Sequence, residues 1–121
     1  MHNGLLELVF HGDITADDFQ APVEFFTELE TRLEVTPDRV TDLSAANLMP
    51  LNADFVKRLG ASRARAPIKN KIKSAIIAPE PDQFGLARIF QTFNENPSIE
   101  IKVFRDAASA YAWLGRAAKS A

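Results

Sequence analysis

From Lys73 to Leu114 the chain reads KSAIIAPEPDQFGLARIFQTFNENPSIEIKVFRDAASAYAWL, and no other stretch constrains the fold as much. Ser74 to Ala78 is apolar throughout, the pattern of a central strand covered on both faces. Pro79 and Pro81 close it and introduce a helix. Leu86, Ile89, Phe90 and Phe93 recur there at i, i+3, i+4 and i+7, one apolar stripe. Asn94 to Pro97 is the exit. Ile99 to Phe104 then alternates, with Ile99, Ile101 and Val103 on one face and Glu100 and Lys102 on the other, as suits a strand near a sheet edge. Asp106 caps a last helix whose inner side holds Ala107, Ala110, Tyr111 and Leu114.

The first half repeats this alternation. Leu5 to Phe10 is a mostly apolar strand, ended by the turn residues His11-Gly12-Asp13. Thr15 is an N-cap with Asp18 as its capping-box partner. Pro22 either starts a second helical piece or bends the helix, because it has no N–H. Phe25, Phe26, Leu29 and Leu33 form the apolar side of that helix, Glu24, Glu28, Glu30 and Glu34 its wet side, and Pro37 lies beyond its end. A short second strand spans Arg39 to Ser44, and residues 45–51 form a loop. Asn52 caps a helix running to about Arg65. Phe55, Val56 and Leu59 are its apolar positions, and Lys57, Arg58, Arg63 and Arg65 face solvent. Gly60 weakens the middle of that helix by about 1 kcal/mol relative to alanine.

Four βα units imply right-handed crossovers and a mainly parallel sheet of about four to five strands with flanking helices. At 121 residues this is one α/β domain over residues 1–121, and 46% apolar residues can fill its core. Ligand sites in such sheets lie beyond the strand C-termini, at a topological switch point. That rule places His11, Asp13, Asp42, Ser44, Met49 and the segment Pro79 to Gly85 around one expected crevice.

The charge distribution is uneven. Residues 1–54 hold eleven acids and two bases, residues 55–79 seven bases and no acid, and residues 80–121 five of each, for a net of −2. One reading is two solvated faces, or an acidic helix beside a basic one. The other is a docking surface for an anion, an acidic partner, an anionic membrane or a second copy of the chain, built from Arg63, Arg65, Lys69, Lys71 and Lys73. Nucleic acid is not expected, since the chain is net acidic and the basic run contains no aromatic residue.

Catalytic signatures are few. With no cysteine there is no disulfide, thiolate nucleophile or cysteine-ligated zinc. No serine sits in G-x-S-x-G, and neither G-x-G-x-x-G nor a Walker loop occurs. A phosphoacceptor receiver domain fails too, since Asp13 stands alone at its strand end and Phe104-Arg105-Asp106 supplies no lysine. A small enzyme would have to use His11, Asp13 and Asp42 converging from neighbouring strands, because His2 lies at the very start of the chain. Gly85 and Arg88 carry two readings: close helix–sheet packing with a solvated arginine, or a ligand-facing glycine with an arginine anchor. Phe84 precedes them. Tyr111 and Trp113 read as core and rim residues. The expectation is a chain without catalytic residues, metal or cofactor.

The first residues, MHNGLLELVFHGD, lack the basic and apolar regions of a signal peptide, and no apolar run approaches the roughly 18 residues of a membrane span. The expected location is the cytoplasm, at most peripheral at a membrane.

GDITADDF at 12–19, DLS at 42–44, AIIAP at 75–79, FGLARIFQ at 84–91 and VFRDAASAYAWL at 103–114 together resemble the bacterial SpoIIAA-like proteins of the STAS superfamily. The resemblance spans nearly the whole chain. It implies a sheet with flanking helices, no enzymatic activity, and a role in binding a protein partner or small ligand. The further similarity of this group to the lipid-binding CRAL-TRIO fold implies hydrophobic ligands or membrane association. Where the classical antagonists place a phosphorylatable serine after the D-L-S strand, this chain reads Leu48-Met49-Pro50-Leu51-Asn52-Ala53, so no phosphoserine switch is expected there. Leu48, Met49 and Leu51 make that loop apolar, either packed inward or presented to a lipid or partner. Homodimerisation through an exposed strand or through charge complementarity is a further expectation.

Overall fold

The computed structural model describes residues 4–116, so His2 lies outside the described residues. Four strands, β1 (Leu5–Asp13), β2 (Asp38–Asn47), β3 (Ile72–Ile77) and β4 (Ile99–Phe104), alternate with four helices, α1 (Gln20–Arg32), α2 (Ala53–Arg63), α3 (Pro81–Phe93) and α4 (Ala107–Trp113). The sheet is wholly parallel, in the order β1-β2-β3-β4. This is the expected single α/β unit.

Local sequence explains most of the boundaries. The Asp18 carboxylate accepts from the Thr15 N–H (2.7 Å) and hydroxyl (3.1 Å), closing a short 3-10 turn, Ala16–Phe19, that leads into α1. Pro22 falls in the first turn of α1, where a missing N–H costs little. Asn52 Oδ1 accepts from Phe55 N–H at 2.8 Å and starts α2, which ends at Arg63 rather than Arg65. Pro81 opens α3. Asp106 accepts from the Ser109 N–H and then from its hydroxyl, which holds its carboxyl below the usual range. β2 is longer than its apolar residues suggest, because Ala45, Ala46 and Asn47 pair with His11, Gly12 and Asp13 beyond a bulge between Val9 and His11. Gly12, at φ 71°, sits in the left-handed region beside that bulge.

The topology decides where a site can form. Right-handed connections between neighbouring strands put successive helices on one face of the sheet. Accordingly α1, α2 and α3 share one face and α4 alone packs on the other. The strand order never reverses, so the sheet has no switch point of the kind that a reversal of strand order creates.

On the three-helix face Phe10, Leu43, Ile76 and Ile101 meet Ala87 of α3 and Leu48 of the following loop. Leu48 is buried and Leu51 half-buried, whereas Met49 between them is 76% exposed. On the other face Leu5, Val40, Ala75 and Ile77 meet Ala110, Tyr111 and Leu114. The expected inner-side Ala107 is exposed. Phe25 also turns outward, 54% exposed, and stacks edge-on against Phe26.

The two helix glycines exchange the roles the sequence suggests. A Cβ on Gly60 would lie 3.0 Å from the Phe90 carbonyl and 3.1 Å from Phe93 Cβ, so Gly60 lets α2 and α3 cross closely. A Cβ on Gly85 would meet nothing within 4 Å, so close packing is not its reason.

Candidate functional site

The residues expected around the strand C-termini are largely engaged with one another. Asp13 accepts from Asn47 Nδ2 at 2.8 Å, and Asp42 accepts from the N–H (2.9 Å) and hydroxyl (2.6 Å) of Ser44. His11, Asp13 and Ser44 are exposed. Among the described residues no group of three His, Cys, Asp or Glu side chains could share a metal ion. Gly85 and Arg88 lie on the outside of α3, and the Arg105 guanidinium covers the Phe84 ring at 4.2 Å.

The basic run is not exposed throughout. Lys69 Nζ donates to the Thr31 and Leu33 carbonyls (3.4 Å each), a cation at the end of α1 where the helix dipole favours it. Lys73 is half-buried, with Nζ on the Trp113 carbonyl (3.2 Å) and over its ring. Arg65 and Lys71 are exposed. Arg63, expected to face solvent, is buried, and this is the correction that matters most.

Arg63 turns inward because of its place on α2. Val56, Leu59, Gly60 and Arg63 stand at i, i+3, i+4 and i+7, the spacing of an inward stripe. On α1 the same spacing holds for Phe26, Leu29, Glu30 and Leu33, so Glu30 occupies an apolar slot and is not on the wet side. On β2, Arg39 shares a face with Thr41 and Leu43. The three charges meet beneath the helices. Glu30 is 0% exposed, Arg39 7% and Arg63 8%. Glu30 Oε2 accepts from Arg39 Nη2 at 2.9 Å and from Arg63 Nη2 at 2.5 Å. Arg63 Nη1 also reaches the Thr27 hydroxyl at 3.4 Å, and the Phe26 ring lies 4.7 Å from the Arg39 guanidinium and 6.0 Å from that of Arg63.

This cluster is incompletely satisfied. Glu30 Oε1 and Arg39 Nε are buried without a hydrogen-bond partner. Burial pulls the Arg39 pKa below its ordinary value, although the Glu30 charge opposes that shift. An unpaired polar atom in a low-dielectric interior is expensive, so its retention needs a reason.

Both arginines line a cavity of about 130 Å³ that opens to solvent between the sheet and α1–α3. Leu8, Leu43 and Ile76 form its sheet wall, and Phe26, Val56 and Phe90 its helical wall. Beside the arginines, Thr41, Ser74 and Asn94 are the polar contributors. The arrangement can hold a small apolar body next to a cationic end; it offers no paired acid and base facing a common reacting atom.

Sequence reasoning passed over Glu30 and Arg39. Their signal was present: a charged residue at i+4 in a stripe, and one on the inner face of a strand. No helix among the described residues is long and apolar enough to cross a membrane. In comparison with known proteins, no family model, curated protein or solved structure matches this chain.

Proposed function

We propose that this chain is a non-catalytic STAS-like module that binds a small hydrophobic or anionic ligand in the cavity between its sheet and its three-helix layer. The observation that carries the reading is the cavity itself. It is apolar over most of its wall, open to solvent, and closed at one side by buried arginines. Ligand pockets generally combine such walls with a few fixed polar groups. A void of this size in a core meant only for stability is destabilising, by roughly 24 cal/mol per Å³. The resemblance to SpoIIAA-like proteins points the same way, toward binding without chemistry.

Native mass spectrometry of the protein purified from its own host tests this. The expected spectrum shows a small-molecule adduct that disappears under denaturing conditions. A bare chain in both spectra, together with no methyl-NMR shift on adding a neutral aromatic such as ethylbenzene, overturns it.

A further inference from the structure

Resting on that reading, we propose that the cavity takes a compact organic monoanion, a carboxylate whose apolar body fills the space between Ile76, Val56 and Phe90 and whose charged end is received by Arg39 and Arg63. The charge balance of the buried cluster sets the sign. Two guanidiniums, always protonated at physiological pH, share one buried carboxylate, leaving a surplus of one positive charge among the buried side chains, which half-buried Asp38 offsets only weakly. A buried charge without a counter-ion is strongly disfavoured unless something completes it.

The hydrogen bonds fix the kind of group. Both arginines converge on a single oxygen, Glu30 Oε2, instead of pairing fork to fork with a whole carboxylate. Arg39 Nε is left with no acceptor although its side chain is more than nine-tenths buried. A guanidinium carries five donors in one plane, matched by the two oxygens of a carboxylate. One further carboxylate therefore supplies the acceptor that Arg39 Nε lacks and brings the charge of the buried cluster to zero. A dianion would over-compensate it, and an ammonium would add to the surplus.

The walls fix the size. Roughly 130 Å³ is close to the volume of about 150 Å³ that accommodates benzene in an engineered protein cavity. One ring or a short branched chain fits. A long acyl chain does not fit unless the helices separate.

Three probes of one shape and three charges test the assignment on the full chain: phenylacetate, ethylbenzene and phenethylammonium. Dissociation constants come from methyl NMR. Phenylacetate is expected to bind at least about tenfold more tightly than ethylbenzene, the scale of a charge-assisted hydrogen bond. It should shift the methyls of Leu43, Val56 and Ile76, and phenethylammonium should not bind. Arg39→Met should collapse the phenylacetate preference to near unity, and Glu30→Gln, which keeps an acceptor oxygen but removes the competing negative charge, should strengthen it. Should Arg39→Met fail to fold, the ranking of the probes on the unmodified chain decides alone. Phenylacetate binding no tighter than ethylbenzene overturns the carboxylate assignment and leaves the apolar cavity standing. Failure of all three probes to bind removes both.

Discussion

The two faces of this sheet are built on opposite plans. Under α4 the packing is close, and its buried residues are apolar, with the charges of Lys73 and Glu7 at the margin. Ala75 and Ala110 are both 0% exposed, and small side chains bring the seven-residue helix down onto the strands. Under α1–α3 the same sheet meets longer helices, yet a cavity remains and three charged side chains are buried at its end. Neither the void nor the charges add stability. The α4 face shows that tight packing is within reach of this sheet. The hollow on the other side is therefore a property of that face and not of the sheet.

The largest effect should come from breaking the charged cluster. Glu30→Ala leaves two buried guanidiniums with no counter-ion and is expected to cost about 3–5 kcal/mol. Replacing all three members together, Glu30→Leu with Arg39→Met and Arg63→Met, should restore or exceed the original stability, because burying charges is itself unfavourable. Urea denaturation of the single and triple variants measures both. A triple variant as unstable as Glu30→Ala would mean that the ions hold the face together, and the contrast with the α4 face would lose its meaning.

A matched pair of alanines sharpens the comparison at smaller scale. Ala87 lines the cavity and Ala110 lies in the tight layer under α4, and both are buried. Ala110→Leu overpacks and should cost about 1–3 kcal/mol. Ala87→Leu adds apolar volume where there is room, and should be neutral or stabilising by about 0.5–2 kcal/mol. It should also exclude ethylbenzene. Equal destabilisation by the two changes would show that the space beside Ala87 cannot be filled.

How far the sequence reaches can be read from the same residues. The strands, the caps at Thr15, Asn52 and Asp106, and the α/β class follow from local periodicity, because each depends on neighbours within a few positions. Strand order does not, since right-handed crossovers permit many orders and only packing selects β1-β2-β3-β4. The site was legible only in part. Arg63 appears in the basic run, but its partner Glu30 lies 33 positions away and Arg39 comes from a third element. Composition treats all three as surface residues. Their positions in the stripes of α1 and α2 and on the inner row of β2 say otherwise. Phe25, beside Phe26, drew the α1 stripe one step round the helix and hid Glu30.

The smallest effect tests a side-chain hydrogen bond on the α4 face. The Tyr111 hydroxyl donates to Glu7 Oε1 at 2.7 Å across 104 positions of chain. Unlike Glu30, Glu7 is exposed, so losing this bond in Tyr111→Phe should cost only about 1 kcal/mol. The bond has a pH signature. Burial, the hydrogen bond to Glu7 and the nearby charges of Glu7 and Asp42 push the phenol up to about 12, above its ordinary value near 10. A raised pKa means the neutral phenol is favoured in the folded chain, so its contribution is complete below pH 10 and is lost as pH rises through 12. Lysines also titrate in that range, but equally in both proteins, so the difference in stability between Tyr111→Phe and the unmodified chain should shrink between pH 10 and 12. Tyr111 is the only tyrosine in the sequence, so the ultraviolet phenolate band reports this group alone. A phenol that ionises near pH 10 in the folded protein would mean that the Tyr111 hydroxyl is neither buried under α4 nor tied to Glu7.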